Sequence, residues 1–216
     1  MNLKTKIVII AVLILFAFCL LVIVKKPDRK KDKDDGVLLQ VSNYNRMVVM
    51  DENVKEKWSQ VENVYQRRMD LIPNLVNTVK GYAEPEQETF TQVTEARAKV
   101  GGMVNIDQSV LDDPAMFAKF QQAQSQLGSA LQRLMVVQEQ YPDLKANQNF
   151  LQLQSQLEGS ENRIALERHR FNEASKQYNS FIRTFPINML ANMFNFNAKP
   201  YFQATAGAET APTVEF

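Results

Sequence analysis

The sequence predicts an all-α protein: one N-terminal transmembrane helix followed by a long antiparallel four-helix bundle. Three observations predict it. Residues 7–24 form one unbroken apolar run. Between about 42 and 185, apolar residues recur in alternating steps of three and four, the rhythm of a buried helical stripe. Gly81, Pro85, Gly101-Gly102, Pro114, Pro142 and Pro186 punctuate the joins between the periodic stretches.

The first element is IVIIAVLILFAFCLLVIV, Ile7 to Val24, after a short flank of residues 1–6. Eighteen residues rise about 27 Å, close to a hydrocarbon core of about 30 Å. Lipid cannot bond a free N–H or C=O, so a single crossing segment must be helical. Lys4 and Lys6 precede the run, and Lys25 and Lys26 follow it, with stems long enough to carry their charges to the headgroups. The competing reading is a cleaved signal peptide. Against it, the run exceeds the usual core of about 7–15 residues and lacks a small-x-small exit site. Cys19 reads as a small buried residue, because Phe16 and Phe18 are too bulky for a lipid-modification site. More basic residues follow the span than precede it, which puts the N-terminus outside and the bundle in the cytoplasm. A signal anchor that exports the domain is the alternative.

Residues 25–41 read as a charged linker, beginning KKPDRKKDKDDG. A long helix is expected over about 42–82, capped by Ser42 or Asn43. Its stripe is Met47, Val54, Trp58, Val61, Tyr65, Ile72, Leu75, Val79 and Tyr82, with Asp51 and Arg68 as polar interruptions. Pro73 removes a backbone bond to the Met69 carbonyl, so a kink or two collinear helices are expected there. A short helix over about 86–100 carries Phe90, Val93 and Val100 and stops at Gly101-Gly102, before a loop over 101–113. Asp113 caps a third helix, about 114–140, with Pro114 at its first position and a stripe of Phe117, Phe120, Gln124, Leu127, Leu131 and Leu134. The fourth, about 144–185, runs Phe150, Leu153, Leu157, Ser160, Ile164, Glu167, Phe171, Ala174, Tyr178, Phe181, Phe185 without a slip. The tail, 186–216, holds aromatics without a period. It reads as packing on the bundle end or docking a partner, and its last stretch as extended or disordered.

Composition narrows function. The first 36 residues carry net +4 and the rest net −3, too little positive charge to grip nucleic acid. One Cys excludes an internal disulfide.

Four separated blocks carry a resemblance. Tyr65–Ala83 reads YQRRMDLIPNLVNTVKGYA, and Tyr141–Arg163 reads YPDLKANQNFLQLQSQLEGSENR. The fourth helix ends FNEASKQYNSFIRTFP, and the tail has KPYF and APTVEF. Together, in this order and over about residues 43–216, they resemble the LemA family of bacterial single-span membrane proteins. The resemblance implies a long antiparallel four-helix bundle behind one membrane helix, and it carries over no catalytic residue. Where relatives often have His-Glu after Gly-Tyr-Ala, this chain has Glu84-Pro85-Glu86.

The candidate site is a patch of Arg67, Arg68 and Asp70 on the first helix facing Glu158, Glu161 and Glu167 on the fourth. It reads as either structural ion pairs or a partner-binding surface. Those glutamates with Glu139 do not make a bundle metal site. That chemistry wants Glu-x-x-His pairs, and the chain has one histidine, His169, two residues from Glu167. No nucleophile-base pair and no phosphate loop is present, so no cofactor is expected. The face bearing Gln121, Gln122, Gln124 and Gln126 reads as solvated, with a second polypeptide as the alternative. The expected function is a non-enzymatic scaffold or adaptor. It is held in the bilayer by residues 7–24 and contacts a protein partner or itself, with no small-molecule substrate. The alternatives are an enzyme with an Arg/carboxylate site and a lipid-binding membrane organiser.

Overall fold

The computed structural model describes residues 29–104 and 108–203. The expected span at 7–24, its flank 1–6 and the tail beyond 203 lie outside the described residues. Among the described residues, no helix is long and apolar enough to cross a membrane. The chain divides into two units, one through Asn45 and one from Arg46 to Phe216. The described elements are α1 (Arg29–Lys80), α2 (Gln87–Val104), α3 (Pro114–Val137), α4 (Pro142–Lys145), α5 (Gln148–Arg183) and α6 (Ile187–Met193). Two 3₁₀ turns, Gln108–Leu111 and Gln138–Gln140, join them, so the described chain is all-α.

Helix α1 begins within the segment expected to be a linker and runs through Ser42 and Asn43. Gly36 costs only about 1 kcal/mol there, too little to end it. Pro73 lies inside this one helix. The carbonyl it leaves without a donor, that of Met69, accepts instead from Arg97 Nε of α2 at 3.3 Å.

Helix α2 continues past Gly101 and Gly102 to Val104. A Cβ at Gly101 would lie 3.7 Å from Met69 Cε, an ordinary van der Waals contact, so Gly101 lies beside α1 within the helix rather than at a stop. Helix α3 ends at Val137 and passes into the 3₁₀ turn, three residues short of the expected end. Its start is as expected: the Asp113 carboxylate accepts from the N–H groups of Ala115 and Met116. The fourth expected helix is two. Short α4 ends at Lys145, and Asn147 caps α5 by accepting from Phe150 N–H at 3.0 Å. Helix α5 then ends at Arg183, and Phe185 is 82% exposed.

The apolar stripes bury as two clusters. The first joins Met69–Val79 of α1, Phe90–Val100 of α2, Ala123–Val137 of α3, and Phe150 and Leu157 of α5. The second joins Met47–Tyr65 of α1, Phe117 and Phe120 of α3, and Ile164–Ile182 of α5. So α1 and α3 run one way and α5 the other. Lys80 of α1 lies over the Phe90 ring and Met69 lies beside Gly101, so α2 runs back along α1. No described residue of α2 enters the second cluster. Val110, Leu111, Ile187, Ala191 and Phe202 fill that half instead.

If Arg97 replaces the donor that Pro73 lacks, Arg97→Met should destabilise the chain by about 1 kcal/mol, and by markedly less in a Pro73→Ala background. Urea midpoints of the four-member cycle measure this coupling. Equal costs in both backgrounds would refute it.

Candidate functional site

Two polar constellations interrupt this core. The first lies where the apolar clusters meet. Arg68, at a core position of α1, is 3% exposed. Its Nη1 donates to Glu161 Oε1 of α5 at 2.6 Å, and its Nη2 donates to the side-chain and main-chain oxygens of Gln124 on α3. The guanidinium also lies 5.2 Å from the Tyr65 ring. Burial raises the Tyr65 hydroxyl pKa. Ser160, also buried, donates to the Gln156 carbonyl at 2.8 Å.

Only part of the sequence-predicted patch comes together. Arg68 meets Glu161. Arg67 is exposed, Asp70 accepts from Gln66, Glu158 accepts from Gln154, and Glu167 accepts from Arg170. Each of these pairs lies along one helix face at i,i+3 or i,i+4. The six residues therefore do not converge on an open pocket. His169 is exposed. An open groove of about 560 Å³ between α1 and α5 is lined by Lys57, Gln60, Glu167, Arg170 and Glu173 among others. Among the described residues, no three of His, Cys, Asp and Glu are placed to hold a metal ion.

The second constellation is one the sequence reading did not assemble. After α6 the chain turns at Asn195, whose φ is +58°, and residues 196–203 carry no helix. Asn179 of α5 grips Lys199 twice: its Oδ1 accepts the Lys199 N–H at 2.8 Å, and its Nδ2 donates to the Lys199 carbonyl at 2.8 Å. Two turns earlier, Asn172 grips Phe202 in the same way, at 2.8 and 2.9 Å. Gln121 of α3 does so at Gln203, at 3.1 and 3.4 Å, and Arg168 Nη2 adds a bond to the Gln203 carbonyl at 3.0 Å. Seven helical residues rise about 10.5 Å, and three fully extended residues about 10 Å. The strap over 199–203 is therefore nearly extended and antiparallel to α5.

Side chains fix its register. Lys199 is 6% exposed, and its Nζ lies 2.7 Å from Asp112 Oδ1 and 3.1 Å from Asp51 Oδ1. Asp51 also takes Lys55 at 2.8 Å, and the hydrogen bonds that Lys55 donates to Asp51 and Glu52 raise its pKa. Phe202 closes an aromatic box with Trp58, Phe117 and Phe171 at centroid distances of 6.1, 4.9 and 5.5 Å, and Arg168 lies 4.6 Å above its ring. Tyr178 is fully buried. Burial, then the charges of Asp51 and Asp112, push its pKa up. Its hydroxyl has no hydrogen-bond partner among the described residues. The face expected to be solvated is thus divided: Gln122 and Gln126 are exposed, Gln121 holds the strap, and Gln124 is buried on Arg68.

Known proteins resemble this chain over most of its length. The model of the LemA family matches residues 57–216. The magnetosome protein MamQ 1 of Paramagnetospirillum magneticum is 31% identical over 182 residues, 77% of this chain and 67% of that protein. MamQ of Magnetospirillum gryphiswaldense is 30% identical over the same shares of each chain. The protein LemA of Metamycoplasma hominis is 26% identical over 165 residues, 76% of this chain and 71% of that one.

Two expected outcomes test these assignments. Gln124→Leu should cost about 2 kcal/mol by stripping a buried guanidinium of one acceptor, while Arg68→Met with Gln124→Leu should recover most of the loss in urea unfolding. A double variant less stable than the single one would refute this. The Tyr178 pKa is raised in the fold, so its contribution to stability is present below the unfolded value of about 10 and is lost as pH rises through the folded one. Thermal midpoints of wild type should therefore fall more steeply above about pH 10 than those of Tyr178→Phe, with the two alike at pH 7.

Proposed function

The chain belongs to the LemA family, and on that footing we propose that it is a non-enzymatic, membrane-anchored scaffold that holds partner proteins at a bacterial membrane. The observation that carries this reading is the groove over α1, α3 and α5. It receives a polypeptide segment through three two-bond grips on backbone groups, flanked by a carboxylate pair and an aromatic box. Grips on the backbone recognise a peptide as a peptide, which is a binding chemistry rather than a reaction. Ile7 to Val24 supply the anchor in this proposal, with the bundle on the cytoplasmic side. The Arg/carboxylate enzyme loses its geometric basis, because Arg68 is closed on Gln124 and Glu161 and the other carboxylates pair elsewhere. The membrane organiser needs a broad basic face, and net −3 over residues 37–216 does not favour one.

The reading predicts discrete adducts to other proteins when the tagged full chain is cross-linked in intact cells and purified from the membrane fraction in denaturant. Recovery of the chain with no adduct to another protein, under conditions that cross-link known membrane assemblies, would sink it. Protease protection of intact cells against spheroplasts fixes the side: cleavage of the bundle only after the membrane is opened is expected.

A further inference from the structure

The strap is held to the bundle by side chains alone, and the joint that delivers it is open. Residues 192–195, 197 and 198 are exposed, whereas Lys199 and Phe202 are buried. Beside that joint stands an apolar ridge. Met189 and Met193, four residues apart on α6, are 64% and 65% exposed, and Phe185 and Phe194, which flank the helix, are 82% and 49% exposed. The other face of α6, Ile187 and Ala191, is buried in the second cluster, so the ridge points away from the bundle. Four large apolar side chains gathered in water at one bundle end mark a surface that is covered in the working state.

We propose that the groove also takes the Lys199–Gln203 strap of a second copy, so that two chains exchange straps reciprocally and cover each other's ridge. The inference rests on the scaffold reading in that it names one partner, the chain itself. Two independent observations converge on this occupant. The groove asks for a cation between Asp51 and Asp112, an aromatic ring three residues later in the Trp58 box, and an extended backbone between them. A second copy carries that sequence and would make the same bonds in trans. In a reciprocal exchange the two joints pass each other at the two-fold axis. The residues next to the joint then meet their own counterparts, and here those residues are the exposed ridge. Exchange leaves the strap contacts unchanged, so ridge burial and the cost of association set the balance. Sharing one membrane reduces that cost by raising the local concentration.

The test uses the full chain with Cys19→Ala in every version. One copy carries Gln121→Cys in the groove and the other Gln203→Cys in the strap, with different tags. They are co-produced and treated in their membranes with a short bismaleimide. A covalent species bearing both tags is expected. Adding Asn172→Ala and Asn179→Ala to the groove copy should reduce it by at least about tenfold, since several bonds near 1 kcal/mol each are lost. Met189→Glu with Met193→Glu in both copies should also reduce it. A single chain carrying both cysteines reports the closed form, because it cross-links internally and gains one reagent while remaining a single-chain species. The proposal is overturned if that chain closes while the mixed copies give no two-tag species. It is equally overturned if the two-tag species persists undiminished without Asn172 and Asn179, which would mean proximity alone. Absence of the two-tag species together with adducts to other proteins would remove strap exchange and leave the scaffold reading standing.

Discussion

An irregular segment laid against a helix bundle brings its own N–H and C=O groups out of water, and helix backbones have no groups left to bond them. That constraint shapes one half of this molecule. Helix α2 contributes only to the first apolar cluster, so the second would lie open on one side. The chain covers it with Val110, Leu111 and the strap, and the strap's backbone is then satisfied by side chains of neighbouring helices, three amides and the Arg168 guanidinium. Asn172 and Asn179 stand seven residues apart because two helical turns match three extended residues. A primary amide presents a donor and an acceptor side by side, complementary to the N–H and C=O of a single residue, so one amide satisfies both backbone groups.

The polar residues at core positions follow the same logic. Asp51 and Arg68 break the stripe of α1, and Gln124 breaks that of α3. An unpaired ion or amide there would cost several kcal/mol, so each must meet a partner from another element. Arg68 meets Gln124 and Glu161 at the boundary between the two apolar clusters. Asp51 meets Lys199. Neither set adds much net stability over an apolar isostere, and Glu161 is half exposed, which weakens its share further. What they do is fix register. Sliding α1 by one turn against α3 and α5 would place Arg68 among apolar residues and strand Gln124.

The helices of this fold were largely legible from the sequence, because a stripe of period 3.5 reports burial directly. The stripe from Met47 to Val79 is buried at every apolar position, whereas Tyr82, expected to continue it, is 44% exposed beyond the end of α1 at Lys80. The boundaries were less legible where a local signal met a tertiary one. Gly101-Gly102 read as a stop, but α2 runs through both to Val104, since a glycine inside a helix costs only about 1 kcal/mol. The fourth helix read as continuous across Asn147, whose cap geometry shows only in three dimensions. Within the candidate site, the interruptions Asp51, Arg68 and Gln124 were visible, and Glu161 was one of three carboxylates read as candidates to meet Arg67 or Arg68. The strap was missed because backbone recognition leaves no periodic trace. Asn172 and Asn179 lie in one block that resembles the family and Lys199 in another, yet nothing local says that an amide on a helix will bond a peptide so far along the chain.

The grips also determine what the groove can discriminate. Bonds to N–H and C=O accept any residue but proline at the donor positions, so selectivity falls to the two side-chain pockets. The carboxylate pair is partly open, since Asp112 is 59% exposed, and surface screening limits its worth. The aromatic box is dry and closed by Phe202, whose burial alone is worth about 2 kcal/mol and more with its edge and cation contacts. Recognition therefore depends mainly on one ring at one distance from one cation. The long helices α1, α3 and α5, by contrast, each bury seven or more apolar side chains. The strap is the element held by the fewest of them, and it ends at an exposed joint. Opening there costs least, so the part of the fold that recognises polypeptide is also the part most readily released from its own bundle.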